Sequence, residues 1–229
     1  MHNAAPWRML PAEGPPQPLY DSNAARVIEA AAQQQLPPHT LMERAGRALA
    51  RLALAAAPHV RRVHVFAGPG NNGGDGLQAA PLLKAAGKAV RVTLLADPAA
   101  LPADAALALE QAQDHGIAIS SEWPDADELG DDSLLVDALL GLGARRAPQG
   151  RIAEAIALIN RAATAGGLPV LAVDLPSGLH PDSGALLGEE AVRATHTLSL
   201  LVPKPGLFTA LGRDHAGIVW QHDLEVAAD

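Results

Sequence analysis

Apolar residues in this chain fall either at helical spacing or in short continuous runs, and the two patterns alternate along its length. Leu41, Ala45, Leu49, Leu52 and Ala56 fall at helical intervals behind Thr40-Leu41-Met42-Glu43, a segment with capping-box spacing. Upstream, Asp21 or Ser22 caps a helix running to about Gln34 and stopped at Leu36-Pro37-Pro38. Short apolar runs mark strands at 62–67, 90–95, 117–119, 134–140, 170–175, 197–202 and 217–222. Between them, residues 78–86, residues 101–115 (closed by Gly116) and the spacing of Ile152, Ile156 and Ile159 predict helices. Alternating strands and helices imply an α/β fold, with a parallel sheet covered on both faces and right-handed crossovers.

Residues 1–19 hold several prolines and little periodicity. They read as an extended arm ordered by docking on the body or on another subunit, and residues 20–229 as a single domain. At 229 residues and 48% hydrophobic content the chain builds one sizeable core. Aromatics make up only 3%, so that core rests on small and aliphatic side chains.

Charge and cysteine use narrow the function. A net charge of −8 argues against a non-specific nucleic-acid or acidic-membrane binder. Cysteine is absent, which removes disulfides, thiol nucleophiles and thiolate metal sites and fits a cytoplasmic protein. No apolar run approaches 18 residues and no leader pattern opens the chain, so neither membrane spanning nor secretion is expected. Its nine histidines show no metal-ligand spacing, and His64, inside a strand, reads as structural.

The densest chemical signal is Gly68-Pro69-Gly70-Asn71-Asn72-Gly73-Gly74-Asp75-Gly76, directly after an apolar strand. Glycines let the backbone approach a ligand, and a helix beginning at Asp75 puts the site at a helix N-terminus, where N–H groups attract anions. Gly68, Gly70 and Gly73 also match a dinucleotide fingerprint, with Asp97 placed as a ribose-binding acid. Against that, a carboxylate at Asp75 repels a pyrophosphate. The plain alternative makes Asp75 a helix cap and the glycines a tight turn. A P-loop is excluded, because Gly74-Asp75 stands where Lys-Ser/Thr is required.

Asp137 and Asp174 each close an apolar strand, a costly place for a carboxylate that is not paired or used. Because ligands bind beyond the carboxyl ends of strands in such sheets, segments 68–76, 137–146 and 174–178 are expected to converge. Arg145 and Arg146 suit phosphate, or else remain solvated surface charge. Oxygen donors near Asn72, Asp137 and Ser177 suit a hard cation. Leu175-Pro176-Ser177-Gly178 lacks the G-x-S-x-G elbow of a serine hydrolase.

Taken together, these motifs resemble the NAD(P)H-hydrate epimerases, the YjeF N-terminal-domain family. The likeness runs from about Tyr20 to Leu224. Besides the glycine segment it includes Leu41-Met42-Glu43-Arg44-Ala45-Gly46, Val136-Asp137-Ala138-Leu139-Leu140-Gly141, Val173-Asp174-Leu175-Pro176-Ser177-Gly178 and Pro203-Lys204-Pro205-Gly206-Leu207. It implies a Rossmann-like three-layer αβα sandwich with a mostly parallel central sheet and extra N-terminal helices. It also implies an isomerase of metabolite repair that interconverts the R and S hydrates of NADH and NADPH at C6 of the nicotinamide ring.

On the matching positions, Asn72, Asp137 and Ser177 would hold potassium. Asn71, Asn72, Gly73, Gly74, Asp75, Gly141, Leu142, Gly143, Ala144, Arg145, Arg146, Ala147 and Asp174 would contact the hydrated dinucleotide, which is substrate rather than cofactor. Asp174 is the candidate catalytic acid/base. The resemblance allows a homodimer and a hydrate dehydratase, fused or separate. Pro81 and Leu142 depart from the family pattern, which often has arginine and threonine there. Rival readings are a non-catalytic nucleotide- or RNA-binding scaffold of the same fold and an ordinary NAD-dependent oxidoreductase.

Overall fold

The computed structural model describes residues 7–10, 17–125 and 128–226. Eight strands form one sheet: β1 (Arg8–Met9), β2 (Arg62–Ala67), β3 (Ala89–Leu94), β4 (Ala118–Ser120), β5 (Ser133–Ala138), β6 (Val170–Val173), β7 (His196–Leu200) and β8 (Ile218–His222). Their spatial order is β1-β8-β7-β6-β5-β2-β3-β4, and every pair is parallel except β1 with β8. Helices are α1 (Ser22–Gln35), α2 (Thr40–Ala56), α3 (Asn71–Ala85), α4 (Ala103–Asp114), α5 (Arg151–Gly166) and the short α6 (Gly212–His215).

The pleat divides the core in two. Val63, Val65 and Ala67 of β2 and Leu134, Val136 and Ala138 of β5 pack with α2, α3 and α4. Phe66 and Leu135 point the other way, onto Ala155, Ile156 and Ile159 of α5. The result is the three-layer α/β architecture that the alternation predicts, with more helices on one face than the other.

Three local expectations are corrected. The capping box at Thr40 does not form: His39 is the cap residue, in the left-handed region at φ 67°, with no side-chain cap bond. Its ring pairs instead with Gln78 Oε1 at 3.0 Å, tying the start of α2 to α3. Helix α3 begins at Asn71 rather than Asp75, capped by Gly70, so the glycine segment is largely helical. Packing on both sides overrides the poor helix propensity of Gly73, Gly74, Gly76 and Pro81. The β6-to-β7 crossover carries no helix and runs as a loop through residues 174–195. The arm's Arg8–Met9 pairs antiparallel with Trp220 and Gln221 of β8, docking on the body, one of the two expected alternatives. The rest of the expected arm within 1–6 and 11–16 lies outside the described residues.

Candidate functional site

Three chain reversals at the carboxyl ends of β2, β5 and β6 are stitched together by direct contacts. Ser177 N donates to Asp137 Oδ2 at 2.8 Å and Ser177 Oγ to Asp137 Oδ1 at 2.6 Å, joining the β6 turn to β5. Leu140 N donates back to Ser177 Oγ at 2.9 Å. Gly68 N donates to Ala138 O at 3.0 Å, joining the β2 turn to β5. Gly141 packs so tightly on Asn72 that a Cβ there would lie 3.0 Å from Oδ1.

Asp137 is fully buried and, among the described residues, forms no ion pair. Burial pushes its carboxyl up to about 6, partly offset by the bonds from Ser177 and Leu139. Asn72 is buried too, and its Nδ2 finds no partner.

Asp174 is the first residue after β6 and has φ 65°, a left-handed conformation that Asp tolerates better than most residues. Leu175 N bonds Val173 O at 2.7 Å across it, closing a three-residue turn. On the adjacent strand Leu201 repeats this: φ 62°, with Val202 N bonded to Leu200 O at 2.8 Å. A leucine with positive φ is strained, and strain of this kind gathers at functional sites. The paired turns bring Lys204 Nζ onto Asp174 Oδ1 in a buried ion pair. Lys204 also donates to Leu200 O at 2.6 Å, and Leu200 N to Asp174 Oδ1 at 3.3 Å.

These reversals border one cavity of about 490 Å³. Asn71, Asn72 and Asp75 of α3 line it, with residues 139–144, Asp174, Leu200, Leu201 and Lys204. Helix α1 crosses its rim and contributes Arg26, Glu29 and Gln33. The start of that helix is fixed by Asp21, which accepts from Ala24 N at 2.8 Å. Asp182 also holds it, accepting from Ser22 N at 2.6 Å. Four carboxyl groups, Glu29, Asp75, Asp104 and Asp174, therefore share the space with the Lys204 ammonium and the Arg26 guanidinium. Burial chiefly, with Asp174 next, raises the Asp75 carboxyl well above the usual range. Glu29 rises for the same two reasons.

A model of the YjeF-related protein N-terminus family matches residues 38–206. The chain belongs to that family. It is 36% identical to the NAD(P)H-hydrate epimerase of Levilactobacillus brevis over 91% of each chain. It is 40% identical to that of Rhodopirellula baltica, covering 79% of this chain and 72% of the other. It also matches the bifunctional NAD(P)H-hydrate repair enzyme Nnr of Escherichia coli at 41% identity, over 82% of this chain but 35% of that one. Among solved structures, yeast ynu0 superimposes with a TM-score of 0.71 at 23% identity, covering 83% of both chains, a likeness of fold.

Within this YjeF-type fold the residues expected at the site divide in two. Asn71, Asn72, Asp75, Gly141, Leu142, Gly143, Ala144 and Asp174 line the cavity. Asp137 and Ser177 stand behind it and brace its wall. Gly73 and Gly74 face packing instead: a Cβ on Gly74 would meet Met42 Cε at 2.6 Å. Arg145, Arg146 and Ala147 lie outside the lining. Arg145 donates to Ser22 Oγ at 2.8 Å and sits 3.8 Å from Asp182, a structural pairing.

Two readings of the glycine segment are overturned. Asp75 is the fifth residue of α3, not its cap. Asp97 caps a short 3-10 turn by accepting from Ala99 N at 3.0 Å and lines no part of the cavity, so the ribose-acid assignment fails. His64 is structural as expected: buried, bonded to Thr93 Oγ1 at 2.8 Å and held down to about 4 by desolvation.

Sequence reasoning gave no role to Lys204, Glu29 or Arg26. Lys204 did carry a signal, as a lone cation between two prolines just beyond a strand. Glu29 and Arg26 carried only their i, i+3 spacing on α1.

Proposed function

We propose that this chain epimerises the hydrates of NADH and NADPH, interconverting the R and S configurations at C6 of the nicotinamide ring. The observation that carries this reading is the convergence of Asn71, Asn72, Asp75, residues 141–144 and Asp174 on one cavity. Its size falls in the range of small-molecule sites, about 300–1,000 Å³. Relatives named NAD(P)H-hydrate epimerase, covered over most of their length, support the substrate assignment.

The residues present suit that chemistry. Inversion at C6 requires the hydroxyl to leave with a proton while the ring-nitrogen lone pair fills the gap, and water to return on the opposite face. The ring passes through a cationic state, which a cavity rich in carboxyl groups stabilises. Asp174, held by Lys204 and the backbone of Leu200, exchanges a proton with the oxygen at C6. The free N–H groups at the start of α3, beside Gly70 and Asn71, receive the diphosphate. Arg26 and the loop at 141–144 border the rest of the dinucleotide.

The same reading includes a potassium ion held by Asn72, Asp137 and Ser177. The donor set offers oxygen ligands of the kind a hard cation takes: a buried carboxylate without a cationic partner, a hydroxyl and an amide oxygen. Bound there, the ion would supply positive charge behind the cavity wall and hold the α3 and β6 turns in register. We assign the activity to the cytoplasm, the compartment that a cysteine-free composition fits. Among the described residues no helix is long and apolar enough to cross a membrane.

Incubating the protein with pure R-hydrate and following the S-hydrate by chromatography tests the assignment. Appearance of S well above the protein-free rate supports it. An unchanged R fraction contradicts it.

A further inference from the structure

Two carboxyl side chains that line the cavity, Glu29 and Asp75, have no hydrogen-bond or ion-pair partner among the described residues, and of the two only Asp75 is buried. Asp75 is 9% exposed, lines the cavity from the second turn of α3 and accepts no hydrogen bond from any described residue. Asp174, by contrast, is engaged by Lys204 and Leu200 N. An unpaired buried carboxyl group is costly when ionised and cheap to keep as the neutral acid.

Resting on the epimerase reading, we propose that Asp75 is a second catalytic residue, the general acid that protonates the departing C6 hydroxyl, while Asp174 is the base for the returning water. Two carboxyl groups in one cavity thus take opposite roles because their surroundings differ.

The step balances. Asp75 gives its proton to the C6 hydroxyl oxygen, the C6–O bond breaks with its electron pair on oxygen, and water leaves. The ring-nitrogen lone pair becomes the second bond of C6=N, so the ring is cationic and Asp75 anionic. Water then adds to the opposite face of C6, the C6=N pair returns to nitrogen, and the surplus proton passes to Asp174. Exchange with bulk water resets both carboxyl groups. No electron is gained or lost overall, and the reverse reaction exchanges the two roles.

The groups that face Asp75 all bear on its protonation. Glu29 on α1, Asp104 on α4 and Asp174 beyond β6 oppose its ionisation, whereas Lys204 favours it. Helix α1 therefore completes the acid, although it lies outside the segment shared by the family model.

Steady-state epimerisation across pH tests this with wild type, Asp75→Asn and Asp174→Asn, each checked for folding by circular dichroism. The expected loss of kcat for Asp75→Asn is about 100-fold or more, with KM within about threefold. In wild type, kcat should fall as pH rises through the titration of Asp75. That alkaline limb should vanish in Asp75→Asn and persist in Asp174→Asn. Near-normal kcat in a folded Asp75→Asn, or an alkaline limb that survives in it, overturns the proposal while leaving the epimerase reading intact. Should Asp75→Asn not fold, a wild-type kcat that stays flat into alkaline pH overturns it equally. Wild type without epimerase activity overturns the underlying reading instead.

Discussion

Lys204 and Asp174 form a buried ion pair across the carboxyl ends of β7 and β6, with Asp174 7% and Lys204 2% exposed. Each arrives by a left-handed turn beside a strand end, at Asp174 itself and at Leu201. Removing one partner leaves the other charge buried and alone. Lys204→Met should therefore destabilise the fold by about 3–5 kcal/mol in urea unfolding, and Lys204→Arg should not rescue it fully. Unfolding midpoints indistinguishable from wild type would show that the pair carries no such weight.

Ser177 acts as a clasp between β5 and the β6 turn through Asp137 and Leu140. Ser177→Ala keeps the backbone bond to Asp137 Oδ2 but deprives Oδ1 of its hydroxyl donor. A loss of about 1–3 kcal/mol is expected from thermal or urea unfolding. Epimerisation should fall with it, since the same clasp sets the cavity wall.

Asp137 makes stability depend on pH in a definite sense. Its folded carboxyl sits at about 6, above its unfolded value, so its contribution is most favourable below the unfolded value and is lost as pH rises through about 6. Near neutrality the ionised group costs about 3 kcal/mol by this reasoning. A bound cation offsets that cost. Potassium should therefore raise Tm more at about pH 8 than at about pH 5, with lithium much less effective. A Tm indifferent to potassium at both pH values would remove the ion from the account.

Asp182 holds the start of α1 through Ser22 and, more loosely, Arg145. Asp182→Ala should speed amide hydrogen exchange along α1, measured by mass spectrometry, and raise KM several-fold with a smaller change in kcat. Protection of α1 that matches wild type would mean that the helix is held elsewhere.

Much of this architecture was legible in the chain. The short apolar runs of β2 and β5, and the carboxylates at strand ends, led directly to the sheet and to the rim where its turns meet. What remained hidden has physical causes. The start of α3 at Asn71 contradicts local propensity, because close packing of glycines against α2 and β2 outweighs their entropy cost. His39 displaced Thr40 as cap because its ring found Gln78, a contact between helices that no local motif announces. Glu29 reaches the cavity only through tertiary placement, and Lys204, though set between two prolines beyond a strand, meets Asp174 only because β6 and β7 lie side by side. Arg145 looked like a phosphate ligand yet spends its charge on Asp182, a partner 37 residues away in a loop with no regular structure.

The central claim is that the cavity between α3 and the β5 and β6 turns inverts a hydrated nicotinamide. The most direct test starts separate reactions from pure R- and pure S-hydrate and follows both epimers, together with any NADH or NADPH formed. The account predicts that both reactions converge quickly on one epimer ratio, with no reduced cofactor formed or consumed. Convergence no faster than without protein, or a net change in redox state, would contradict it.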